Sequence, residues 1–188
     1  MRHVILDRDG VLNRERADGG PPHCWAEWQW LPGSRSAVVM LSRAGVRLSV
    51  VTNQSGIGRG TLAPAAMNCM HAHMAEDIHG DGGLIDRVLV CPHAPDVGCS
   101  CRKPLPGLLL QAVRASGIPP ETTIAVGDDL RDIEAARAAN LTAVLVRTGK
   151  GRTTEGRLET GTVAVFDDLH AVVVALLANT PKGVIAAP

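Results

Sequence analysis

The chain alternates short apolar runs, rich in β-branched residues, with longer segments of helical pattern, and no other feature constrains its fold as strongly. The strand-like runs lie at 3–6, 46–51, 85–90, 123–126, 142–146 and 162–166. The helix-like segments lie at 34–45, 63–80, 107–117, 130–140 and 168–178. Such alternation is typical of α/β domains, so we predict a doubly wound, Rossmann-like parallel sheet with helices on both faces.

The composition supports this fold, because only 2% of the residues are aromatic and tyrosine is absent. The core must therefore be built from Val, Leu, Ile and Ala, which fill the interior of buried parallel sheets. The length of 188 residues suits one domain with a sizeable core. We predict a single domain over 1–180, without a large cap domain, and a flexible tail at 181–188.

The charge balance excludes several classes of partner. Lysine plus arginine total 19, as do aspartate plus glutamate, so nothing favours a nucleic-acid or membrane-surface partner. The first strand begins almost at residue 1, which leaves no room for a signal peptide. The longest apolar run, 171–178, is too short to cross a bilayer. We expect a soluble, cytoplasmic protein, and composition and charge fit a monomer.

Polar clusters follow four of the predicted strands. They are "DRDG" at 7–10, "TNQSGIGRG" at 52–60, "RKP" at 102–104 and "GDDLRD" at 127–132. Each cluster alone resembles an ordinary turn. Ligands of open parallel sheets bind beyond the carboxyl ends of the strands, so the four clusters together predict a ligand site at one rim of the sheet.

The acidic residues of these clusters predict a divalent cation. The side chains of Asp7, Asp9 and Asp128 would meet at this rim, where carboxylates repel one another unless a cation lies between them. Ligands that are all oxygen suit Mg²⁺, which also bridges to phosphate. The cluster therefore predicts a magnesium site, and a carboxylate here is also a candidate nucleophile that would form an aspartyl-phosphate.

Three further side chains of the rim are suited to a phosphoryl group. Thr52 offers a hydroxyl, Asn53 an amide and Lys103 an ammonium, all of which bind phosphoryl oxygens. Together with the carboxylates, they predict phosphoryl chemistry at the end of the sheet.

Three of the five cysteines lie beside a histidine in the loop before Lys103. They are Cys91, Cys99 and Cys101, and the histidine is His93. Three cysteines and one histidine complete the tetrahedral shell of Zn²⁺, with no position left for water or substrate, which favours a structural site. A disulfide and a set of free thiols remain as alternatives, although a reducing compartment favours metal. Cys24 and Cys69 are expected to be free thiols.

The motifs "LDRDGVLN", "VTNQSG", "RKPLPG" and "AVGDDLRD" resemble, in this order, those of the haloacid dehalogenase superfamily of phosphotransferases. The resemblance implies that Asp7 is the nucleophile and Asp9 the general acid and base. It implies that Thr52 and Lys103 steady the transferring phosphoryl group. It also implies that Mg²⁺ is held by the side chains of Asp7 and Asp128 and by the backbone carbonyl of Asp9.

The cysteine loop followed by "CRKP" resembles two groups within the superfamily: the D-glycero-D-manno-heptose 1,7-bisphosphate 7-phosphatases and the histidinol-phosphate phosphatases. The segments "TNQSGIGRG", "EWQWLPGS", "CRKPLPG" and "VRTGKGR" are more similar to the heptose group, which serves nucleotide-heptose synthesis for bacterial surface glycans, including lipopolysaccharide. That resemblance implies a phosphorylated sugar substrate contacted by Asn53, Gln54, Ser55 and Arg102. Histidinol phosphate as substrate, and a non-catalytic protein that binds a phosphometabolite, are the alternatives.

Other polar residues carry weaker expectations. Ser34 is a candidate N-cap of the helix at 34–45. His71 is expected on a solvated helix face. Asp132 is expected to be structural, or to order the metal-binding loop without contacting the ion. Asp129 is acidic where some relatives carry a cation or serine, which predicts repulsion of a second phosphate. Arg59 lies in "GRG", which is read as a flexible turn or as a weak phosphate-binding candidate.

Overall fold

The computed structural model describes residues 1–178, so the tail predicted at 181–188 lies outside the described residues. Its strands form one parallel sheet in the order β3-β2-β1-β4-β5-β6. The strands are β1 (His3–Leu6), β2 (Arg47–Asn53), β3 (Arg87–Cys91), β4 (Thr123–Gly127), β5 (Thr142–Val146) and β6 (Ala164–Phe166). This order is that of the doubly wound nucleotide-binding folds and confirms the predicted fold class.

Helices cover both faces of the sheet. They are α1 (Ser34–Arg43), α2 (Ser55–Gly58), α3 (Pro64–Gly80), α4 (Gly107–Ser116), α5 (Leu130–Ala138), α6 (Gly151–Glu155) and α7 (Leu169–Ala178). The core on one face includes residues of α1, α3 and α7, and the core on the other includes residues of α4 and α5. The sequence did not predict α2 and α6, because one turn is too short to show a helical period. Within residues 1–178 no helix is both long and apolar enough to cross a bilayer.

The central strand β1 supplies side chains to both cores. Val4 and Leu6 contact the layer of α1, α3 and α7, whereas Ile5 contacts the layer of α4 and α5. Successive side chains of a strand point to opposite faces, so an uninterrupted apolar run suits a strand that is covered on both sides. Burial on both faces therefore explains why this strand shows no polar alternation.

The register of β1 with its two neighbours determines where the residues of the predicted site emerge from the sheet. Leu6 pairs with Val50 of β2 on one side and with Val126 of β4 on the other. The residues that follow these three strands therefore emerge at the same edge of the sheet. This edge includes the switch point between β1 and β4, where the order of the strands reverses and ligands of such folds bind.

The start of α1 differs from the prediction. Gly33 occupies the N-cap position with φ 75°, and no side chain caps the helix there. Ser34 instead donates its hydroxyl to the carbonyl oxygens of Leu12 (2.6 Å) and Leu31 (2.9 Å). The serine therefore ties α1 to the loop that follows β1, a tertiary contact that local sequence does not reveal.

Candidate active site

Three carboxylates meet at the switch point. One oxygen from each of Asp7, Asp128 and Asp132 lies within 4.8 Å of the others. Burial, only partly offset by Lys103, raises the pKa of Asp7 to about 7. Burial and the charges of Asp7 and Asp132 raise the pKa of Asp128 to about 8. Such a buried, all-oxygen cluster is suited to Mg²⁺, whose charge would allow the carboxylates to stay ionised.

The carboxylate of Asp128 packs closely against the backbone of two glycines. It accepts a hydrogen bond of 2.7 Å from the Lys150 amide. A Cβ atom on Gly10 would lie 2.2 Å from Oδ2 of Asp128, and one on Gly149 would lie 2.0 Å from it. Gly10 (φ 87°) and Gly149 (φ 55°) also have left-handed backbone. Glycine is therefore needed at both positions for the carboxylate to approach.

Lys103 balances part of the buried negative charge. Its ammonium lies 2.7 Å from Oδ1 of Asp7 and 2.6 Å from Oδ1 of Asp132, and it donates to the Val51 carbonyl at 3.1 Å. Burial disfavours the charged amine, but the two carboxylates outweigh it and raise the pKa of Lys103. The lysine is therefore a permanent cation beside the predicted nucleophile.

The contacts of Asp132 connect it to the active site. It pairs with Lys103 through one oxygen, and its second oxygen accepts the backbone amides of Asp128 (3.2 Å) and Asp129 (3.0 Å). The second contact completes a capping box at the start of α5. Asp132 thus links the helix terminus directly to the active-site lysine.

Asp129 does not present the free negative charge that the sequence suggested. It caps α5 by accepting from the amide of Arg131 (3.1 Å), and its Oδ2 lies 2.7 Å from Nη2 of Arg131. Burial opposes ionisation, but the hydrogen bonds from Arg131 outweigh it and lower the pKa of Asp129 to about 2. Because its charge is paired, the predicted repulsion of a second phosphate is largely neutralised within the protein.

Asn53 clamps the backbone of Lys103. Its amide group donates to the Lys103 carbonyl at 3.0 Å and accepts from the Lys103 amide at 3.1 Å. Asn53 also lines the cavity, as the predicted substrate contact requires. The residue therefore joins the end of β2 to the lysine of the neighbouring loop.

Gln54 lies beneath the site and not on its wall, which corrects its predicted role as a substrate contact. Its side chain is fully buried and donates to Oδ2 of Asp9 (2.6 Å) and to Oγ1 of Thr52 (2.9 Å). Because Thr52 accepts this bond, its own hydroxyl hydrogen is available to a ligand. Gln54 thus orients two of the predicted catalytic groups.

Arg8, the residue between the two motif aspartates, is a site residue that the sequence analysis missed. It is completely buried and pairs with Asp9, with Nη2 lying 3.0 Å from Oδ2. Its Nη1 lies 3.0 Å from Nε2 of His71 on α3. Burial and the charge of Arg8 lower the pKa of His71 to about 4. The prediction of a solvated face at His71 is therefore wrong, because the imidazole turns inward to meet a buried cation.

The four predicted zinc ligands form a compact cluster. Five of the six separations between their ligand atoms range from 3.2 Å, between His93 Nδ1 and Cys101 Sγ, to 3.7 Å, and all four atoms lie within 4.8 Å of one another. A tetrahedral site with bonds of about 2.3 Å has edges of about 3.8 Å, so this geometry fits Zn²⁺. The three cysteines form no disulfide with one another, because their sulfurs lie 3.4–3.7 Å apart, well beyond the roughly 2.05 Å of a disulfide bond.

The electrostatics of the cluster also suit a cation. Burial opposes the thiolate at Cys99, but hydrogen bonds from Cys101, from backbone amides and from Cys91 outweigh it and lower its pKa to about 6. Burial and the neighbouring sulfurs raise the pKa of Cys101 to about 12. Without a metal, the cluster therefore does not ionise all of its thiols. A bound cation would stabilise the further thiolates, as expected of thiolate ligands.

A cavity of about 280 Å³ opens above the carboxylates. Among its lining residues are eight of the predicted site residues: Asp7, Asp9, Thr52, Asn53, Ser55, Arg102, Lys103 and Asp128. The loop after β1 adds Glu15 and His23, and the turn after α2 adds Arg59. Glu15 pairs with Lys150 at 2.7 Å, which ties this loop to the start of α6.

Comparisons with known proteins agree with this geometry. Residues 100–172 match the HAD-hydrolase-like family. A D-glycero-β-D-manno-heptose-1,7-bisphosphate 7-phosphatase of Pseudomonas aeruginosa is 46% identical over 93% of this chain and 97% of its own length. The enzyme of the same description from Bordetella bronchiseptica is 43% identical over 94% of this chain and 98% of its own length.

A solved structure is also similar over nearly the whole chain. The crystal structure of D,D-heptose 1,7-bisphosphate phosphatase from B. bronchiseptica, in complex with magnesium and phosphate, superposes with a TM-score of 0.90 and 40% sequence identity. The superposition covers 96% of this chain and all of that one. That protein holds both ions for which the site described here provides suitable groups.

Proposed function

This chain belongs to the haloacid dehalogenase-like hydrolases and is a phosphoric monoester hydrolase, and we propose that it removes the 7-phosphate of D-glycero-β-D-manno-heptose 1,7-bisphosphate. The observation that carries the proposal is the meeting of Asp7, Asp128 and Lys103 in one cavity. The names of the relatives support the sugar, the β-anomer and the 7-position. The product would be a sugar 1-phosphate, the form that nucleotide-sugar synthesis consumes.

In the first step, Asp7 attacks the phosphorus atom and an aspartyl-phosphate forms. Asp9 protonates the leaving oxygen of the sugar. Lys103 and the hydroxyl of Thr52 contact the non-bridging oxygens and offset the charge that develops on them. Each of these residues lines the cavity, so the reacting groups of the chain share one space.

In the second step, Asp9 takes a proton from water, which attacks the phosphorus of the aspartyl-phosphate and restores Asp7. We propose that the side chains of Asp7 and Asp128 and the carbonyl of Asp9 hold Mg²⁺, which when bound would polarise the phosphoryl group. The cluster described above supports the two side-chain ligands, Asp7 and Asp128, while its third member, Asp132, pairs with Lys103.

We assign Zn²⁺ to the cysteine cluster as a structural ion. Arg102 and Lys103 follow Cys101 directly, so a rigid cluster fixes the point from which both cations enter the cavity. Arg102 and Ser55 line the cavity and are proposed to contact the substrate.

The nucleophile is tested with Asp7→Asn, which should abolish phosphate release while the circular dichroism spectrum stays native. Asparagine has nearly the shape of aspartate but cannot form a stable acyl phosphate. Phosphate release at the normal rate by this variant would refute the assignment.

The substrate is tested by comparing kcat/KM for both anomers of the heptose bisphosphate, histidinol phosphate and fructose bisphosphate, in Mg²⁺. The proposal expects the β-heptose bisphosphate to be hydrolysed most efficiently. A higher value for histidinol phosphate would assign the chain to histidine biosynthesis instead.

A further inference from the structure

We propose that Arg8 is a positioning residue, which holds the carboxylate of Asp9 in the orientation needed for proton transfer and transmits to it the rigidity of helix α3. The inference rests on the proposed function in one respect: it takes Asp9 to be the general acid and base. It adds that the residue between the two motif aspartates, together with its support on α3, determines how that acid works.

The first observation is that Arg8 donates hydrogen bonds to both carboxylate oxygens of Asp9. Its Nε and Nη2 lie 3.2 and 3.0 Å from Oδ1, and Nη2 also lies 3.0 Å from Oδ2. Asn13 donates to Oδ1 at 2.9 Å, and Gln54 donates to Oδ2 at 2.6 Å. Donors from three residues, two in the loop after β1 and one after β2, therefore restrict rotation of the carboxylate.

The second observation is that the side chain of Arg8 is itself fixed by its surroundings. It is completely buried, and its Nη1 lies 3.0 Å from both Met67 Sδ and His71 Nε2 on α3. Its guanidinium carbon lies 5.8 Å from the centre of the Trp28 ring, within the range of a cation–π contact. Because a guanidinium has no acceptor, His71 must offer its Nε2 lone pair, as a neutral imidazole does.

The third observation is the remaining exposure of Asp9. Its side chain is 13% exposed and lines the cavity, whereas Arg8 is not exposed and is absent from the cavity lining. Arg8 therefore cannot contact substrate, and any catalytic effect must pass through Asp9. Neither a single ammonium nor an apolar chain reproduces the planar fork that contacts two oxygens and a helix at once.

The experiment measures kcat/KM of the magnesium-loaded enzyme for a series of substituted phenyl phosphates with leaving groups of increasing basicity. General acid catalysis contributes about 10²–10⁴-fold, mainly when the leaving group is basic. We expect Arg8→Met to lower kcat/KM by at least about 30-fold for the most basic phenol but by less than about 3-fold for 4-nitrophenyl phosphate. The dependence on leaving-group basicity thus becomes steeper.

Two further variants keep the test decisive. Arg8→Lys retains a buried cation, and it should steepen the dependence even if Arg8→Met fails to fold. In the double variant Asp9→Asn/Arg8→Met, the dependence should match that of Asp9→Asn alone, because Arg8 acts only through Asp9. Arg35→Met is the matched control. It makes the same substitution at another arginine that contacts α3, where Arg35 pairs with Asp77 and Asp81.

The outcomes separate the two proposals. An equal loss of kcat/KM for all leaving groups in the Arg8 variants, or no loss, would overturn the positioning role. The same holds if Arg35→Met steepens the dependence as strongly as Arg8→Lys. If Asp9→Asn retains the wild-type dependence, the acid–base assignment in the proposed function fails, whatever the Arg8 variants do.

Discussion

At the scale of single residues, the active site concentrates more negative charge than the protein alone can balance. Asp7, Asp128 and Asp132 lie together, and one ammonium, that of Lys103, pairs with two of them, Asp7 and Asp132. Buried like charges raise one another's pKa and destabilise the fold unless a proton or a cation joins them. The three carboxylates therefore reduce the stability of the metal-free protein. Their arrangement favours the binding of a cation.

The first prediction concerns Asp128→Asn. The variant should melt at least about 3 °C above wild type without metal, because roughly 1 kcal/mol corresponds to 2–4 °C at this chain length. Asparagine still accepts the Lys150 amide but carries no charge. Mg²⁺ should raise the melting temperature of wild type, by binding the folded state, and should not raise that of the variant.

Asp129→Asn is the control for this prediction, since asparagine is also a good N-cap and Asp129 lies outside the three-carboxylate cluster. It should retain the response to Mg²⁺. A metal response of Asp128→Asn equal to that of wild type would contradict the proposed ligand set.

At the scale of elements, the segment between β3 and α4 carries a cation into the cavity. Its cysteine cluster begins at Cys91, the last residue of β3. The carbonyl of Pro92 accepts the amide of Gly58 at 2.8 Å, so the segment also contacts the end of α2. The loop is thereby joined to the sheet and to the element that carries Ser55.

The second prediction concerns Cys99→Ala. Loss of one ligand should abolish stoichiometric zinc and lower the melting temperature by several degrees, because metal binding stabilises the folded loop. It should also reduce kcat, since Lys103 follows the cluster closely in the chain. Metal analysis and thermal melting measure the first two effects.

Cys69→Ala is the matched control, because Cys69 is exposed on α3. It should keep one zinc ion per chain and native stability. Unchanged zinc content and melting temperature in Cys99→Ala would refute the structural zinc.

At the scale of the whole molecule, the buried sheet contains a histidine that belongs to no functional site. His3 on β1 is fully buried, and its ring lies 2.9 Å from the Ser49 hydroxyl on β2 and 3.4 Å from the Thr123 hydroxyl on β4. Burial is the main cause that lowers the pKa of His3 to about 4. The imidazole is therefore neutral in the folded protein near pH 7.

The third prediction follows from the difference between the pKa of His3 in the folded protein and that of an unfolded histidine. Unfolded histidine titrates near pH 6.5, so between pH 6.5 and about 4 the unfolded state binds more protons and stability falls as the pH is lowered. In urea denaturation, His3→Asn should lose about 2 kcal/mol less than wild type between pH 6.5 and 4.5. His79→Asn, at an exposed position of α3, is the control and should follow wild type.

The sequence predicts the fold and the main chemical groups of the site from local signals alone. Apolar runs located the strands. Asp7 and Asp128 come directly after β1 and β4, and Thr52 is the second-last residue of β2. Boundaries moved by only a few residues, as at α1, which ends at Arg43 where the pattern extended to residue 45. These features are predictable because a strand's periodicity and its end are properties of a short stretch of chain.

The direction of individual side chains was decided only by tertiary structure. Gln54 and Ser55 are neighbours in one polar cluster, yet Gln54 is buried against Asp9 whereas Ser55 lines the cavity. Arg8 is buried, and besides its ion pair with Asp9 it contacts His71, 63 positions away. Whether a polar residue is solvated or buried depends on partners distant in sequence, since an unpaired buried charge is too costly to persist.

Local pattern by itself therefore determined the kinds of groups at the rim and the order in which the chain presents them. The packing of α3 and the strand order β1-β4 decided which of those groups face substrate and which support them. The physical reason is that composition and period act over a few residues, whereas burial and charge pairing depend on contacts between distant parts of the chain.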